Sequence, residues 1–474
     1  MNRLKVVLVL LGFVFLLCFT RLYNLEVTTR FTRDESQNLV DMHRIFVDRE
    51  ITLLGPIDKS KTIIYPSLTF YLLLPFAALG KFYPQSPAYG TAFFGVLTAG
   101  VIIWLIKKIN TKLLIWVAIL CILWFPLVEA SRWAWNPHLV PFFSFLAIVF
   151  YLRSGKANKL LSGVLFGLSF HLHYLAVVSF AALAVINLVA SFKNKKIGEA
   201  LCLIFGFVLL ILPFVYFDLR NPPGLFFGFF VKHNMVAVNA SGEFSSFPES
   251  FAANLWLSVR YLTQNTYFAI VMAISVLALI IKDIKNAKQH LIYMVAALTQ
   301  VAVISFLPGF ENRYFLLGLP FFFTWLFIYR DKSVLKIQKI ILVVLISGSV
   351  LALTSLLTTP NYPPGAYVVG QSTDFIKQAV EKNDLKNVNI AVLASPDRDP
   401  FGVIYRHTAL VNEVRLLAED QYEVSDHLFV VTTSGEDAVR GDPANLIDNF
   451  RRGKVIASYQ VSGGDWRVYL FKRN

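Results

Sequence analysis

The chain has 474 residues, of which 56% are apolar and 43 are phenylalanine, and its mean hydropathy is +0.58. This composition is typical of a polytopic helical membrane protein and excludes a soluble globular chain. The formal net charge of +14 could indicate a nucleic-acid partner, but the positions of the charges argue against one. The three cysteines all fall in apolar runs, so we expect neither a disulfide framework nor a clustered thiolate metal site.

The apolar runs predict the spans. The first, Val6 to Phe19, follows Met1-Asn2-Arg3 and lacks a small-residue cleavage site, so we interpret it as a retained helix rather than a signal peptide. The run Ser67 to Leu79 is only 13 residues long, and we predict that it lies in the outer membrane interface. About eleven spans are predicted, at roughly residues 4–20, 88–106, 113–128, 138–152, 159–172, 174–191, 197–217, 259–281, 290–306, 313–329 and 337–357.

Basic residues are distributed unequally between the loops. The clusters between alternate runs contain 18 Lys and Arg against three acids, whereas the rest of the chain contains 26 against 27. The positive-inside rule assigns the basic side to the cytoplasm. We therefore predict a multi-pass protein of the plasma membrane, with a cytoplasmic N-terminus and an extracytoplasmic C-terminal segment. The uneven distribution of basic residues therefore indicates how the chain is oriented in the membrane, and it does not predict a nucleic-acid partner.

Two further features follow from this topology. The runs 159–172 and 174–191 must join at His171-Leu172-His173-Tyr174, and we predict that this turn lies in a protein-lined cavity. After Thr358 the composition changes to that of a small α/β domain. The linker is predicted at Pro360 to Gly365 and a helix at Asp374 to Asn383, and the strands are predicted at Val388 to Leu393, His427 to Thr432, Val455 to Tyr459 and Trp466 to Phe471.

The predicted domains are therefore linear segments. Residues 1–357 form a transmembrane domain, in which 21–87 is the first extracytoplasmic loop, and residues 358–474 form an extracytoplasmic α/β domain. Polar residues gather at the predicted outer ends of the spans, where ionisable groups are costly and usually kept for a function. They are Asp34-Glu35, the stretch Glu129 to His138 with Arg132 and Asn136, the pair His171 and His173, and Glu311 to Tyr314 with Arg313.

Each group also has a structural interpretation. Asp34 could be the N-cap of a helix over Leu39 to Phe46. Arg132 with Trp133 and Trp135 could be an interfacial anchor, as could Arg313, and the two histidines could form a hydrogen-bonded bend. Convergence of all four groups on one predicted face favours a functional site.

The order of these motifs resembles the polytopic glycosyltransferases of the C-type fold, specifically the protein O-mannosyltransferase and aminoarabinose-transferase-like group (glycosyltransferase family 39-like). The resemblance covers about the first 330 residues. It implies transfer of a sugar from a polyprenyl-phosphate donor to an extracytoplasmic acceptor, which is a protein, a lipid or a cell-envelope glycan. The motifs that carry it are Arg33-Asp34-Glu35, Leu54-Gly55-Pro56, Tyr65-Pro66 before Tyr71 to Pro75, and Arg313-Tyr314 with Pro320.

The resemblance also implies roles for single residues. Asp34 matches the general base that takes the proton of the acceptor hydroxyl, and Glu35 would orient it or help to hold a divalent ion. The lipid-phosphate leaving group needs cationic stabilisation, for which Arg313 is the first candidate and Arg132 the second. Substrate contacts are expected from Asn136, His171, His173, Tyr174, Lys59 and Lys61. As a cofactor, a divalent metal ion could bind Glu35, His171 and His173.

Other functions are less consistent with the sequence. It contains neither a GxxxxGK[ST] nucleotide loop nor an HExxH zinc helix. The alternative from another class is a transporter or flippase of lipid-linked saccharides, which would explain the spans but would not require Asp34-Glu35. A third possibility is a polymerase or ligase of lipid-linked oligosaccharides on a different fold.

Overall fold

The computed structural model describes residues 3–57, 64–222, 224, 246–286, 290–306, 312–329, 332–359, 365–393, 399–462 and 464–474. Helices dominate the part of the chain before residue 359. In chain order the elements there are α1 (Arg3–Leu22), α2 (Leu25–Thr28), α3 (Arg33–Val47), β1 (Leu54–Ile57), β2 (Ile64–Pro66), α4 (Leu68–Leu79), α5 (Ser86–Ile109), α6 (Leu114–Leu123), α7 (Phe125–Ala130), α8 (Val140–Tyr151), α9 (Lys156–Leu172), α10 (Ala176–Lys193), α11 (Ile197–Arg220), α12 (Phe247–Thr263), α13 (Thr266–Asn286), α14 (Leu291–Ile304), α15 (Asn312–Phe327) and α16 (Lys332–Thr358).

Many of these helices are apolar. Within the described residues, five are long and apolar enough to cross a membrane: Leu4–Thr28, Ser86–Ile109, Ala176–Lys193, Ile197–Arg220 and Val334–Thr358. Shorter apolar helices of 10 to 17 residues accompany them, including α4 at the predicted interfacial segment. The predicted polytopic helical fold is confirmed, whereas the number of about eleven spans stays a prediction.

One predicted span is wrong in its continuity. The run 259–281 is not a single helix, because α12 ends at Thr263 and α13 begins at Thr266, with a bend of 111° between them. Gln264 has a left-handed backbone conformation with φ of 57°. The side-chain oxygen of Asn265 then accepts the backbone N–H groups of Tyr267 and Phe268, at 2.9 and 3.3 Å. Polar capping at Thr263 to Thr266 therefore starts a new helix inside the predicted span.

The predicted turn between α9 and α10 is confirmed. Helix α9 ends at Leu172, His173 has an extended backbone, and α10 begins at Ala176.

Packing of α9 against α11 depends on small residues. A Cβ atom on Gly163 would collide with the carbonyl oxygen of Leu203, and one on Gly206 with that of Leu160. Close backbone approach at glycine is a common way for helices to associate in membranes.

The chain divides into two compact units. The first contains residues 1–23, 53–69 and 91–357, and the second contains residues 24–52, 70–90 and 358–474. The second unit therefore combines two early segments, which include α3 and most of α4, with the C-terminal segment. The Tyr83 hydroxyl donates to Asp374 at 2.9 Å, and the Tyr83 ring occupies the space that a Cβ on Gly370 would need.

The C-terminal segment has the predicted α/β composition. Its elements are α17 (Ala366–Asn383), β3 (Val388–Val392), α18 (Val403–Val411), β4 (His427–Thr432), α19 (Glu436–Gly441), β5 (Lys454–Gln460) and β6 (Arg467–Lys472). The sheet order is β3-β4-β6-β5, with β3 parallel to β4 and the other pairs antiparallel. All four strands lie within two residues of their predicted bounds. Helix α17 starts eight residues before the predicted Asp374, and most of the predicted linker, Pro360 to Gly365, lies outside the described residues.

Candidate active site

The first turn of α3 carries Asp34 and Glu35 and is closed by a capping box. Thr32 is the N-cap, and the Oε2 atom of Glu35 accepts the backbone N–H of Thr32 at 2.8 Å and its hydroxyl at 2.5 Å. Glu35 is only 3% exposed. Asp34 is therefore not the N-cap, and the predicted capping interpretation of this residue is wrong. Thr32 and Glu35 perform that task, which leaves half-buried Asp34 as a first-turn acid.

Glu35 is expected to matter for stability through this box. Replacing Glu35 with alanine removes the acceptor of two Thr32 hydrogen bonds, so the free energy of unfolding should fall by about 1 kcal/mol. Glu35→Gln should cost less, because glutamine also serves in capping boxes. Thermal unfolding of the purified protein in detergent measures both, with Thr32→Ala as the matched partner. Equal stability of wild type and Glu35→Ala would contradict the assignment.

A second carboxylate lies on the same face of α3. Asp41 follows Asp34 by seven residues, so the two side chains are two turns apart along the helix. The Nε2 atom of Gln37 donates to Asp41 at 3.2 Å, and Arg44 lies 4.0 Å from it. Burial raises the pKa of Asp41. Sequence analysis missed Asp41, although its i, i+7 relation to Asp34 was a usable signal.

A residue from the C-terminal segment holds α3 in the second unit. The Ser36 hydroxyl donates to the Arg33 carbonyl at 2.9 Å and lies 2.9 Å from His407 Nδ1 on α18. Because the hydroxyl proton is used on Arg33, the imidazole donates Nδ1–H to Ser36. Burial, with Arg33 and Arg44 nearby, lowers the pKa of His407 to about 4. The contact ties the helix that carries Asp34 to α18.

His407 is expected to make stability depend on pH. Its ordinary pKa is about 6.5, so between pH 6.5 and 4 the unfolded chain binds more protons than the folded one, and stability falls as the pH is lowered through this window. The unfolding midpoint of wild type should therefore drop more between pH 7 and 4.5 than that of His407→Gln. Ser36→Ala keeps the buried imidazole and should keep the dependence. Parallel curves for wild type and His407→Gln would exclude this histidine as the cause.

Arg132 lies in the first unit, where it contacts the end of α1. It is 2% exposed, and its Nη1 and Nη2 atoms donate to the carbonyl oxygens of Thr20 and Tyr23 at 3.1 and 2.8 Å. Arg21, which sequence analysis missed, is fully buried beside it and donates to Leu17, Thr20 and Cys121. Terminal helix carbonyls lack intrahelical partners and favour cations. These contacts support a structural role for Arg132, while phosphate binding by it stays a prediction.

The polar turn between α9 and α10 gathers several predicted substrate-binding residues around β2. Asn136 donates to the Leu172 carbonyl at 2.6 Å, and the Tyr174 hydroxyl donates to the Ile64 carbonyl. The Tyr65 ring centroid lies 5.3 Å from that of His173 and 5.0 Å from that of Tyr174. Tyr65 was not among the predicted site residues, although it stands in one of the quoted motifs.

The first turn of α15 belongs to the same neighbourhood. The ring of Tyr314 stands edge-on to that of His173, with centroids 5.7 Å apart. Arg313, the residue before Tyr314, is in α15, but its side chain lies outside the described residues, as does Glu311. Lys59 and Lys61 also lie outside them. The structure therefore does not test the predicted roles of these residues.

The histidines of this turn make protein hydrogen bonds. His171 Nε2 lies 2.8 Å from the Leu210 carbonyl oxygen, and its ring stands edge-on to Phe214. His173 Nδ1 accepts the Leu175 N–H at 3.3 Å, so its Nε2–H faces the Tyr65 hydroxyl at 3.4 Å. These partners fit the hydrogen-bonded bend.

The predicted metal site fits these contacts poorly. No group of three or more His, Cys, Asp or Glu side chains in the described part of the chain could hold a metal ion. Oε2 of Glu35 is used in the capping box, and His171 Nε2 and both ring nitrogens of His173 have the partners given above. A metal requirement stays a prediction.

Comparison with known proteins shows the fold. No protein-family model and no curated protein matches the sequence. Two crystal structures of ArnT from Cupriavidus metallidurans match it, the apo state with a TM-score of 0.58 and the state bound to undecaprenyl phosphate with 0.57. Each match covers 99% of this chain and 98% of ArnT. The chain has the ArnT fold.

The ArnT fold extends further than the sequence motifs did. The motifs covered about the first 330 residues, whereas the structural match includes the C-terminal segment as well. The predicted C-type glycosyltransferase fold is thereby confirmed. Identity to ArnT is 11%, so the likeness concerns the path of the chain, and the chemistry must be argued from this protein's own residues.

Proposed function

We propose that this protein is a membrane glycosyltransferase that moves a sugar from a polyprenyl-phosphate donor to a hydroxyl group of an extracytoplasmic acceptor. The observation that carries the proposal is the match over 99% of the chain to ArnT, which has been crystallised with undecaprenyl phosphate. The first unit supplies a helical membrane region, and the second presents Asp34 in the first turn of α3. A lipid-linked donor is consistent with the apolar spans and with the absence of a nucleotide-loop motif from the sequence.

In the proposed reaction the acceptor oxygen attacks the anomeric carbon of the donor sugar. The bond from that carbon to the phosphate oxygen breaks, and its electron pair leaves with the lipid phosphate. The Asp34 carboxylate takes the proton of the acceptor hydroxyl, which is the task of a general base. The capping box supports this assignment, because Glu35 holds the turn and Asp34 is not needed as the cap.

The leaving group needs a cation, since a phosphate ester gains negative charge as the bond breaks. Arg313 is the preferred candidate, and it lies in the first turn of α15, whose Tyr314 contacts the polar turn. Asn136, His173 and Tyr174 lie around that turn and are proposed to shape the substrate pocket. His171 faces Leu210 and Phe214, so its proposed contribution is to the shape of the turn.

The orientation in the plasma membrane is part of the proposal and predicts a labelling pattern. In a variant without the three native cysteines, Ser60→Cys and Ser434→Cys should react with an impermeant maleimide in intact cells. Lys285→Cys should react only after the membrane is opened, because Lys285 belongs to the basic, cytoplasmic side. Labelling of Lys285→Cys from outside would reverse the orientation and exclude an outer active site.

The function is tested by incubating purified protein with polyprenyl-phosphate sugars and measuring the release of polyprenyl phosphate. Release that depends on an acceptor and is lost in Asp34→Asn supports the transferase. A transporter or flippase would instead move intact lipid-linked saccharide across a vesicle membrane and release no polyprenyl phosphate. Transport without release of polyprenyl phosphate would contradict the proposed transferase and support the transporter.

A further inference from the structure

The first unit contains a cavity of about 440 Å³ near the predicted cytoplasmic ends of its helices. Three of its lining side chains carry nitrogen groups: Lys108 in α5, Arg153 after α8, and His290 before α14. The other five are aliphatic. Lys108 and Arg153 give this cavity a basic wall that attracts anions, and its aliphatic residues give an apolar wall that excludes water.

The guanidinium group of Arg153 is held in place by aromatic rings. Its Cζ atom lies 5.0 Å from the ring centroid of Trp104 and 5.2 Å from that of Phe150. Arginine keeps its charge when stacked in this way and still presents N–H groups in the fork that matches phosphate. The stacking therefore orders a phosphate-binding side chain before any ligand arrives.

Buried amides join the chain directly after two of the lining residues, Ile109 and Ile328. Asn110 Nδ2 donates to the Tyr329 carbonyl at 2.6 Å, and Gln338 Nε2 donates to the same oxygen at 3.3 Å. Both amide residues are at least 96% buried. Tyr329 in turn stands edge-on to His290, with ring centroids 5.1 Å apart. The hydrogen bonds tie the ends of α5, α15 and α16 together, so the cavity is preorganised and not a gap between loose loops.

We propose that this cavity binds the phosphate-bearing head group of an anionic membrane lipid in the cytoplasmic leaflet. The phosphate would accept hydrogen bonds from Lys108 and Arg153, and the aliphatic wall would contact the glycerol and the first part of the acyl chains. Basic pockets between spans on the cytoplasmic side are typical sites for such lipids. Lipid binding at this site is separate from the proposed sugar transfer and does not require catalytic turnover.

Lys107 and Lys108 provide a matched pair for the test. Both are exposed, neighbouring residues at the end of α5, but only Lys108 lines the cavity. Native mass spectrometry of the full chain in detergent, titrated with phosphatidylglycerol, measures lipid retention. Lys108→Gln should weaken binding about fivefold, the effect of one basic charge near an anionic lipid. Arg153→Gln should weaken it at least as much, Lys107→Gln should leave it unchanged, and phosphatidylcholine should bind more weakly than phosphatidylglycerol.

Three results would overturn the site. Equal weakening by Lys107→Gln and Lys108→Gln would mean that diffuse surface charge attracts the lipid. Equal retention of phosphatidylcholine and phosphatidylglycerol would mean that the cavity contributes no charge recognition. Displacement of phosphatidylglycerol by millimolar inorganic phosphate would identify a site for a small anion and not for a lipid. Lys108→Gln alters an exposed side chain, so it tests the proposal even if Arg153→Gln fails to fold.

Discussion

Asp34→Asn is expected to lower the rate of sugar transfer by about 10²–10⁴, the contribution of a well-placed general base. Asparagine keeps the shape and hydrogen-bonding reach of aspartate but cannot take a proton from the acceptor. Donor binding should survive, because removing a negative charge cannot weaken attraction to the lipid phosphate. Thermal stability should change little, since the cap of α3 consists of Thr32 and Glu35. The measurement is the initial rate of polyprenyl-phosphate release at saturating donor.

Asp41→Asn is the matched control, since it makes the same chemical change on the same face of α3 two turns away. It should leave transfer within a few-fold of wild type. A severe loss in Asp41→Asn combined with an active Asp34→Asn would move the base to Asp41. A folded Asp34→Asn protein with wild-type turnover would falsify the assignment of the base, and the transporter alternative would then become preferable.

Arg313→Ala should show the second-largest effect, a loss of about 10²–10³ in transfer rate, because it removes a cation from the departing phosphate. Its expression and unfolding midpoint should stay close to wild type. Arg313→Lys should recover part of the rate, since lysine restores the charge without the bidentate fork. Full activity of Arg313→Ala would leave this arginine as an interfacial anchor.

Arg132→Ala should behave differently from Arg313→Ala. Its guanidinium holds two carbonyl oxygens at the end of α1, and hydrogen bonds to buried charged groups contribute about 1.5–3 kcal/mol each. The expected result is therefore lower yield and a lower unfolding midpoint. If the protein folds normally and loses only its transfer rate, Arg132 contributes to phosphate stabilisation as the sequence predicted.

The apolar helices could be predicted because they depend on composition, which is local. The break at Gln264-Asn265 was missed although Thr263 to Thr266 are four consecutive polar residues; the left-handed backbone of Gln264 and the capping by Asn265 became visible only in the structure. The early start of α17 could not be predicted from the sequence. Its first turns contain Val368, Val369 and Gly370, which are weak helix formers, and the contact of Gly370 with Tyr83 accompanies the helix there.

By itself the sequence determined the class of protein, the apolar helices, the strands of the C-terminal segment and the position of Asp34 at the start of α3. These follow from hydrophobic periodicity and from the order of short motifs, which need no knowledge of distant contacts. The capping box of Thr32 and Glu35 is also local and was readable as a T-x-x-E pattern, although it was missed. Only the tertiary structure showed that Arg132 holds the end of α1 and that His407 contacts Ser36 across 371 positions of sequence. The physical reason is that hydrogen-bond partners of a buried polar group are chosen by chain packing, and residue type alone states only that such a partner is needed.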